Sequence, residues 1–512
     1  MIQAGKRKGK GMTIAGLLLA ILMASMDNTI VSTSMGTIVG EIGGLDKFVW
    51  VTAAYMVAEM ACMPIFGKLS DMYGRKRFFV FGIVVFIIGS ALCGMADSIV
   101  QLSAFRAVQG VGAGAMVSIA FTIMFDIVPP EERGKMTGMF GALFGLSSVA
   151  GPLLGGYITD SLHWTWIFYI NLPLGLLAFL MITVCYKESA EHSKQKIDYL
   201  GAVLLVGAIV CLMFALELGG KEYAWSSPPI LGLFAGFAVL ATLLAFVEKK
   251  AAEPIISFRM FRNRLYTASN LVAMLSGATF MTASMFIPIY IQGVFGGTAT
   301  NAGLVLLPMM AGSVVTATVG GFLMTKFSYR AILIPHLFVL LVGIGLLATL
   351  SADSSRELIT VYMILVGCGI GATFSVLSSA AIHSFPATQR GAANSTLTFN
   401  RSLGMTLGIT IFGIVQSHLL TGKLTSAFSG GSAPGSAIDF GDPYVLMNPE
   451  FRQTVDKGVL NAVTDGLSSS IISTFAWGLI PAVLAFVAAF VMSKEKLEPS
   501  KEAEETLQPV LS

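Results

Sequence analysis

Charge is scarce in this chain. Asp, Glu, Lys and Arg make up only 12% of its 512 residues, about half the share of an ordinary soluble domain, while 55% of the residues are hydrophobic and mean hydropathy is +0.78. That composition excludes a soluble globular domain and implies a polytopic membrane protein. The net charge of +3 is too small for a nucleic-acid binder, and the basic residues stand in short clusters between apolar runs. Cysteine is rarer still. Cys62, Cys93, Cys185, Cys211 and Cys368 all fall inside apolar runs at unrelated spacings, which argues against a disulfide framework and against zinc. The histidines His163, His192, His336, His383 and His418 make neither a metal-ligand spacing nor a nucleophile–base constellation. No metal, no cofactor and no enzymatic activity are expected.

What is abundant is long apolar runs. About 20 apolar residues cross about 30 Å of hydrocarbon, and fourteen such runs can be counted, centred near Met26, Ala58, Phe86, Ala113, Leu146, Leu176, Val210, Phe237, Thr279, Val314, Leu341, Ile370, Leu407 and Ala482. The first has a basic start, Lys6-Arg7-Lys8-Gly9-Lys10, but continues with no small-x-small cleavage site before a polar mature start, so it reads as an uncleaved helix. An even count puts both termini on one side. Most of the Lys and Arg then fall on that side, including Arg75-Lys76-Arg77, Lys249-Lys250 and the cluster Arg259 to Arg264, and the positive-inside rule makes it the cytoplasmic side of the cell membrane. One long exterior segment, 421–466, and a solvated cytoplasmic tail, 493–512, complete the layout.

Against this hydrocarbon background three ionisable residues stand out. Ile21-Leu-Met-Ala-Ser-Met-Asp-Asn-Thr-Ile-Val31 places Asp27 within the first helix, Glu59 lies in the second and Arg106 in the fourth. Intramembrane charges are costly and face a protein interior or a water-filled cavity. Arg106 cannot be neutralised and needs a partner, for which Asp27 is the natural candidate. The sequence also repeats itself at a spacing near 257 residues: Met23-Ala-Ser-Met-Asp27 against Thr282-Ala-Ser-Met-Phe286, Gly67 to Arg75 against Gly321 to Tyr329, Gly110-Val-Gly-Ala-Gly114 against Gly367-Cys-Gly-Ile-Gly371, and Pro129-Pro-Glu-Glu-Arg-Gly134 against Pro386-Ala-Thr-Gln-Arg-Gly391. Three segments follow: a six-helix half over 1–190, two inserted helices over 191–255, and a second six-helix half over 256–512. Parallel halves mark an alternating-access transporter with its site between them. The repeat replaces Asp27 by Phe286, Arg106 by Met363 and Asp71 by Thr325, so the ionisable machinery sits in the first half. The second offers Met285, Phe286, Tyr290 and Phe374, which with Met26 form a candidate apolar and aromatic substrate wall.

Four stretches of the first half resemble signatures of the major facilitator superfamily, specifically its fourteen-helix drug:proton antiporter branch, and look most like Gram-positive bacterial multidrug exporters. They are Met26-Asp-Asn-Thr-Ile-Val31, Gly67-Lys-Leu-Ser-Asp-Met-Tyr-Gly-Arg-Lys-Arg77, Arg106-Ala-Val-Gln-Gly-Val-Gly112 and Gly151-Pro-Leu-Leu-Gly-Gly156. The resemblance implies an all-α integral membrane protein with the major facilitator fold, its 14 helices arranged 6+2+6, and a monomeric transporter driven by the proton gradient with no cofactor. Its implied partners are small-molecule drugs, protons and the lipid bilayer, with no nucleic acid. Gly151, Pro152, Gly155 and Gly156 would be the antiporter signature. Gly67, Asp71, Gly74, Arg75 and Lys76 would form the gate, in which Asp71 and Arg75 pair across helix ends and hold one conformer closed. Proton and cationic drug would compete for the carboxylates of Asp27 and Glu59, with Arg106 beside them. A metabolite, siderophore or lipid exporter, or a non-transporting membrane sensor, remains as the alternative reading.

Overall fold

The computed structural model describes residues 2–43, 49–188, 198–220, 222–251, 254–296, 299–352, 354–428 and 457–496. Much of the long segment 421–466, the tail beyond 496 and the basic stretch 189–197 lie outside the described residues. The rest is a helical bundle, and no strand occurs among the described residues. Its first helices are α1 (Ile2–Ile42), α2 (Val49–Tyr73), α3 (Arg75–Cys93), α4 (Ile99–Ile127), α5 (Pro130–Ser161), α6 (Trp166–Tyr169) and α7 (Asn171–Cys185). Two more, α8 (Tyr199–Leu218) and α9 (Pro228–Lys250), precede α10 (Arg264–Gly293), α11 (Ala299–Leu323), α12 (Tyr329–Leu347), α13 (Arg356–His383), α14 (Arg390–Phe428) and α15 (Lys457–Val491). Among the described residues thirteen stretches are long and apolar enough to cross a membrane, α6 and α7 together supplying one of them. The glycine-rich α5, 32 residues long, is the fourteenth helix of the bundle.

These runs form helices because, in hydrocarbon, every backbone N–H and C=O must be satisfied within its own segment. Their starts are written in side chains: Ser98, Asn263, Ser328 and Ser355 accept from the backbone N–H groups of Gln101, Tyr266, Ala331 and Leu358, as N-caps do. Between α2 and α3 the chain reverses on a single residue, Gly74, at φ 108°, a backbone region that side chains avoid. Its Cα also faces the Glu188 carboxylate, 2.9 Å from where a Cβ would stand. Gly74→Ala is therefore expected to cost about 1–3 kcal/mol, read as a lowered melting temperature of the purified protein.

The packed pairs of the first half recur in the second. Helix α1 packs on α5 and α7, α2 on α4, and α3 on α4 and α7; correspondingly α10 packs on α14 and α15, α11 on α13, and α12 on α13 and α15. The halves meet through the related pairs α5 with α11 and α14 with α2, and α8 pairs with α9 and leans on α2. This is the repeat of the sequence expressed as packing. One end of the bundle is defined by interhelical bonds. Lys76 Nζ donates to the carbonyls of Thr183 and Tyr186, Arg264 to that of Val491, and the Tyr329 N–H to that of Glu495. It carries the basic clusters and is called the basic end below.

Candidate functional site

Asp27 and Arg106 form an ion pair in the interior of the first half, both side chains fully buried. Three helices beyond α1 and α4 contribute to it. Gln109, one turn after Arg106 on α4, donates from Nε2 to Asp27 Oδ1 at 2.8 Å and accepts from Arg106 at 2.7 Å. Asn171, at the break between α6 and α7, donates to Asp27 Oδ1 at 3.0 Å. Ser90 of α3 accepts from both amides and donates to the Phe168 carbonyl. The guanidinium also reaches the Val51 carbonyl of α2 and Asn28 Oδ1, and lies over the Tyr55 ring at 4.1 Å, a cation–π arrangement. Asp27 therefore has two amide donors besides its arginine, and Arg106 has neutral acceptors besides its carboxylate. A carboxylate bonded in this way can gain or lose a proton without losing every partner.

At the basic end a second acid joins the halves. Asp71 Oδ1 accepts from the Gly391 N–H at 2.9 Å and Oδ2 from the Ala392 N–H at 2.8 Å. Those amides open α14, where unsatisfied N–H groups and the helix dipole favour an anion. On its own side Asp71 accepts from Arg75 at 3.2 Å, and Arg75 also pairs with Asp126 of α4. Gly67, one turn earlier on α2, is pressed on the same junction; a Cβ there would stand 2.9 Å from the Gly391 carbonyl oxygen and closer still to the Ser395 side chain. The absence of a side chain at Gly67 and Gly391 is what lets α2 and α14 close on each other. Among the described residues Thr325, the second-half counterpart of Asp71, bonds only within its own turn, to the Phe322 carbonyl. At the other end of the bundle an apolar cluster of Ile30, Val31, Met35, Ile38, Trp164, Phe168 and neighbours draws on first-half residues alone.

The other expected residues are placed unevenly. Glu59 is half-buried on α2 and makes no hydrogen bond or ion pair among the described residues. Met285 and Phe374 are half-buried, whereas Met26, Phe286 and Tyr290 are packed away, and the Tyr290 hydroxyl donates to the Ser351 carbonyl at 2.6 Å. Lys76 acts within the first half, tying α3 to the end of α7. Gly151 lies against Thr29 of α1 and Gly155 is buried beneath Ser34; Gly156 faces open space, and the Pro152 side chain is outside the described residues. Sequence reasoning missed Gln109, Asn171, Ser90, Tyr55 and Asp126. Gln109 was findable, as an amide in an apolar helix one turn from a buried arginine; Asn171 becomes a partner only through the α6–α7 break.

The chain is 53% identical over 500 residues, 97% of its own length and 98% of the relative's, to "Multidrug resistance protein 3" of Bacillus subtilis (strain 168). It is 36% identical over 489 residues, 95% of its length and 88% of the relative's, to "Multidrug transporter protein MdtP" of the same strain. Among solved structures, a proton:xylose symporter superposes with TM-score 0.62 over 96% of this chain and 98% of that one, at 12% identity, a likeness of fold alone. The family profile described as the Major Facilitator Superfamily matches residues 17–409. That match, together with the Bacillus relatives, shows the family: this chain belongs to the Major Facilitator Superfamily, a family of multi-pass membrane transporters and not of enzymes.

Proposed function

We propose that this protein is a proton-coupled antiporter that exports structurally varied amphipathic and cationic drugs across the bacterial cytoplasmic membrane. The observation that carries the coupling is Asp27: a membrane-buried carboxylate held by one cation and two amides, poised to exchange its proton while its surroundings stay bonded. The printed names of the two Bacillus relatives support the drug class. In this reading the basic end is cytoplasmic with both termini there, residues 1–190 and 256–512 are the moving halves, and 191–255 is an inserted pair. The bond from Asp71 to the opening of α14 supports a gate closed on the cytoplasmic side. Glu59, Met285 and Phe374 contact drug; Met26, Phe286 and Tyr290 back the wall. Gly151 and Gly155, set against Thr29 and Ser34, let α5 slide on α1, with Pro152 and Gly156 completing the antiporter signature.

Everted vesicles test this directly. A pre-formed proton gradient should collapse partly when a cationic dye is added to vesicles bearing the protein and not to vesicles lacking it. No drug-dependent proton movement, with the protein present and folded, defeats the antiport reading. Within the same assay Glu59→Gln is expected to be substrate-selective. An unpaired carboxylate adds negative potential to the pocket, so its loss should weaken cations on the order of tenfold and neutral compounds by less than about threefold. Equal losses for both classes would instead place Glu59 in the coupling step.

A further inference from the structure

The second half holds one buried arginine that the reading above does not use. Arg401 lies on α14, eleven residues in from Arg390 and so about 16 Å from the basic end, near the depth where transporter sites sit. Its side chain is only 7% exposed. Among the described residues its five N–H donors make one hydrogen bond, from Nη2 to the Thr373 carbonyl of α13 at 3.3 Å, and Nε is buried without a partner. Arg106 shows what a satisfied arginine looks like here: a carboxylate, two side-chain oxygens, a carbonyl and a tyrosine face. Arg401 has no carboxylate among the described residues.

Among the described residues none is placed to pair with it. Helices α10, α11, α12 and α14 contain no Asp or Glu, α13 has only Glu357 in its first turn, and α15 only Asp465 close to its start. Both acids stand at the ends of their helices away from the basic end. Glu59 of the neighbouring α2 makes no ion pair with Arg401. Burying a guanidinium without a counter-charge is costly, and a protein that needed only packing would place an apolar residue there. The arginine is also held in a receptive geometry. Its guanidinium lies over the half-buried Phe374 ring at 4.7 Å, and Phe280 stands edge-on to Phe374 at 6.4 Å. A planar fork laid on an aromatic pair, with donors to spare, matches a carboxylate attached to an aromatic ring: the fork takes the oxygens bidentately while the rings stack.

We propose that Arg401, supported by Phe374 and Phe280, binds the carboxylate of an aromatic amphiphile, so that the pocket takes zwitterionic and anionic aromatic drugs as well as cations. The proposal rests on the exporter reading. With Glu59 on the first half and Arg401 on the second, the pocket is bipolar, and a zwitterion draws on both.

The test uses two dyes that differ by one methyl group, rhodamine 110, which carries a free carboxylate, and rhodamine 123, its methyl ester. Binding of each is measured by fluorescence polarisation to the full-length protein in nanodiscs of neutral phosphatidylcholine, which removes anionic lipid headgroups as competitors. Arg401→Gln should weaken rhodamine 110 by about tenfold or more and leave rhodamine 123 within about twofold. Arg401→Lys should keep part of the preference for the acid. An acid-to-ester affinity ratio that Arg401→Gln leaves unchanged overturns the proposal. So does parallel loss of both dyes in Arg401→Gln and Arg401→Lys, which assigns the guanidinium to holding α13 on α14. Wild-type protein that binds neither dye and moves no cationic drug defeats the exporter reading itself, whereas binding of rhodamine 123 with no effect of Arg401 on the ratio defeats this inference alone.

Discussion

Asp27→Asn is expected to abolish drug-driven proton release in proteoliposomes while the protein still inserts and folds. The amide keeps the shape of the carboxylate but cannot titrate. Folding is the less obvious half of the prediction, because the substitution strips the fully buried Arg106 of its counter-charge, and breaking a buried pair in this way costs about 3–5 kcal/mol in soluble proteins. Here the guanidinium retains the Val51 carbonyl, Gln109 Oε1, Asn28 Oδ1 and the Tyr55 ring, each of which recovers part of that loss. A lowered melting temperature with intact insertion is therefore the expected stability result, measured on the preparation used for transport. Asp27→Glu should retain partial activity, because it restores a titratable group at the cost of one methylene in a tight site. A well-folded Asp27→Asn protein that still exchanges protons for drug at the wild-type ratio would remove Asp27 from the coupling step and make Glu59 the leading proton carrier.

The pairing of Asp27 with Arg106 was legible because a membrane leaves a buried arginine few choices. The bundle was legible for a related reason: a chain so poor in charge can cover its backbone only with helices, and the 257-residue repeat announces the two halves. What the sequence did not disclose falls into two kinds. Asn171 is an ordinary amide until the fold brings the α6–α7 break against Asp27. The partners of Asp71 across the halves are backbone N–H groups, which every residue but proline carries, so Gly391 and Ala392 have no side-chain signature to read. The gate was expected as Asp71 with Arg75. The structure contains that pair but places the bond between halves on the main chain of α14. The apolar wall was the least legible part, since Phe286 and Tyr290 obey the same periodicity whether a helix face meets drug or another helix, and both prove fully packed.

That main-chain capture makes Asp71→Asn the second large effect. Asp71 is a foreign anionic cap: a residue of α2 satisfying the first amides of α14, favoured by the positive end of the helix dipole. Hydrogen bonds to a charged group contribute about 1.5–3 kcal/mol each. Asparagine can still accept from one amide through its carbonyl, but it brings no charge, and its NH2 would face a second N–H. A bias of that size present in one conformer only shifts a two-state equilibrium by about tenfold or more. The expected result is a protein whose basic end opens more often. Spin labels on the basic ends of α3 and α14, in a background lacking the five native cysteines, should show a larger long-distance population in pulsed-dipolar measurements. Drug binding should stay within about twofold, because the cap lies at the basic end, away from the residues proposed to contact drug, while transport falls by about tenfold. Gly67→Ala probes the same junction by bulk instead of charge: its Cβ would press on Ser395 and the Gly391 carbonyl, and it should shift the distances in the same direction with every ion pair in place. Binding that falls in step with flux, or unchanged distances in Asp71→Asn despite lost transport, would take Asp71 out of the gate and return it to a role inside the first half, beside Arg75 and Asp126.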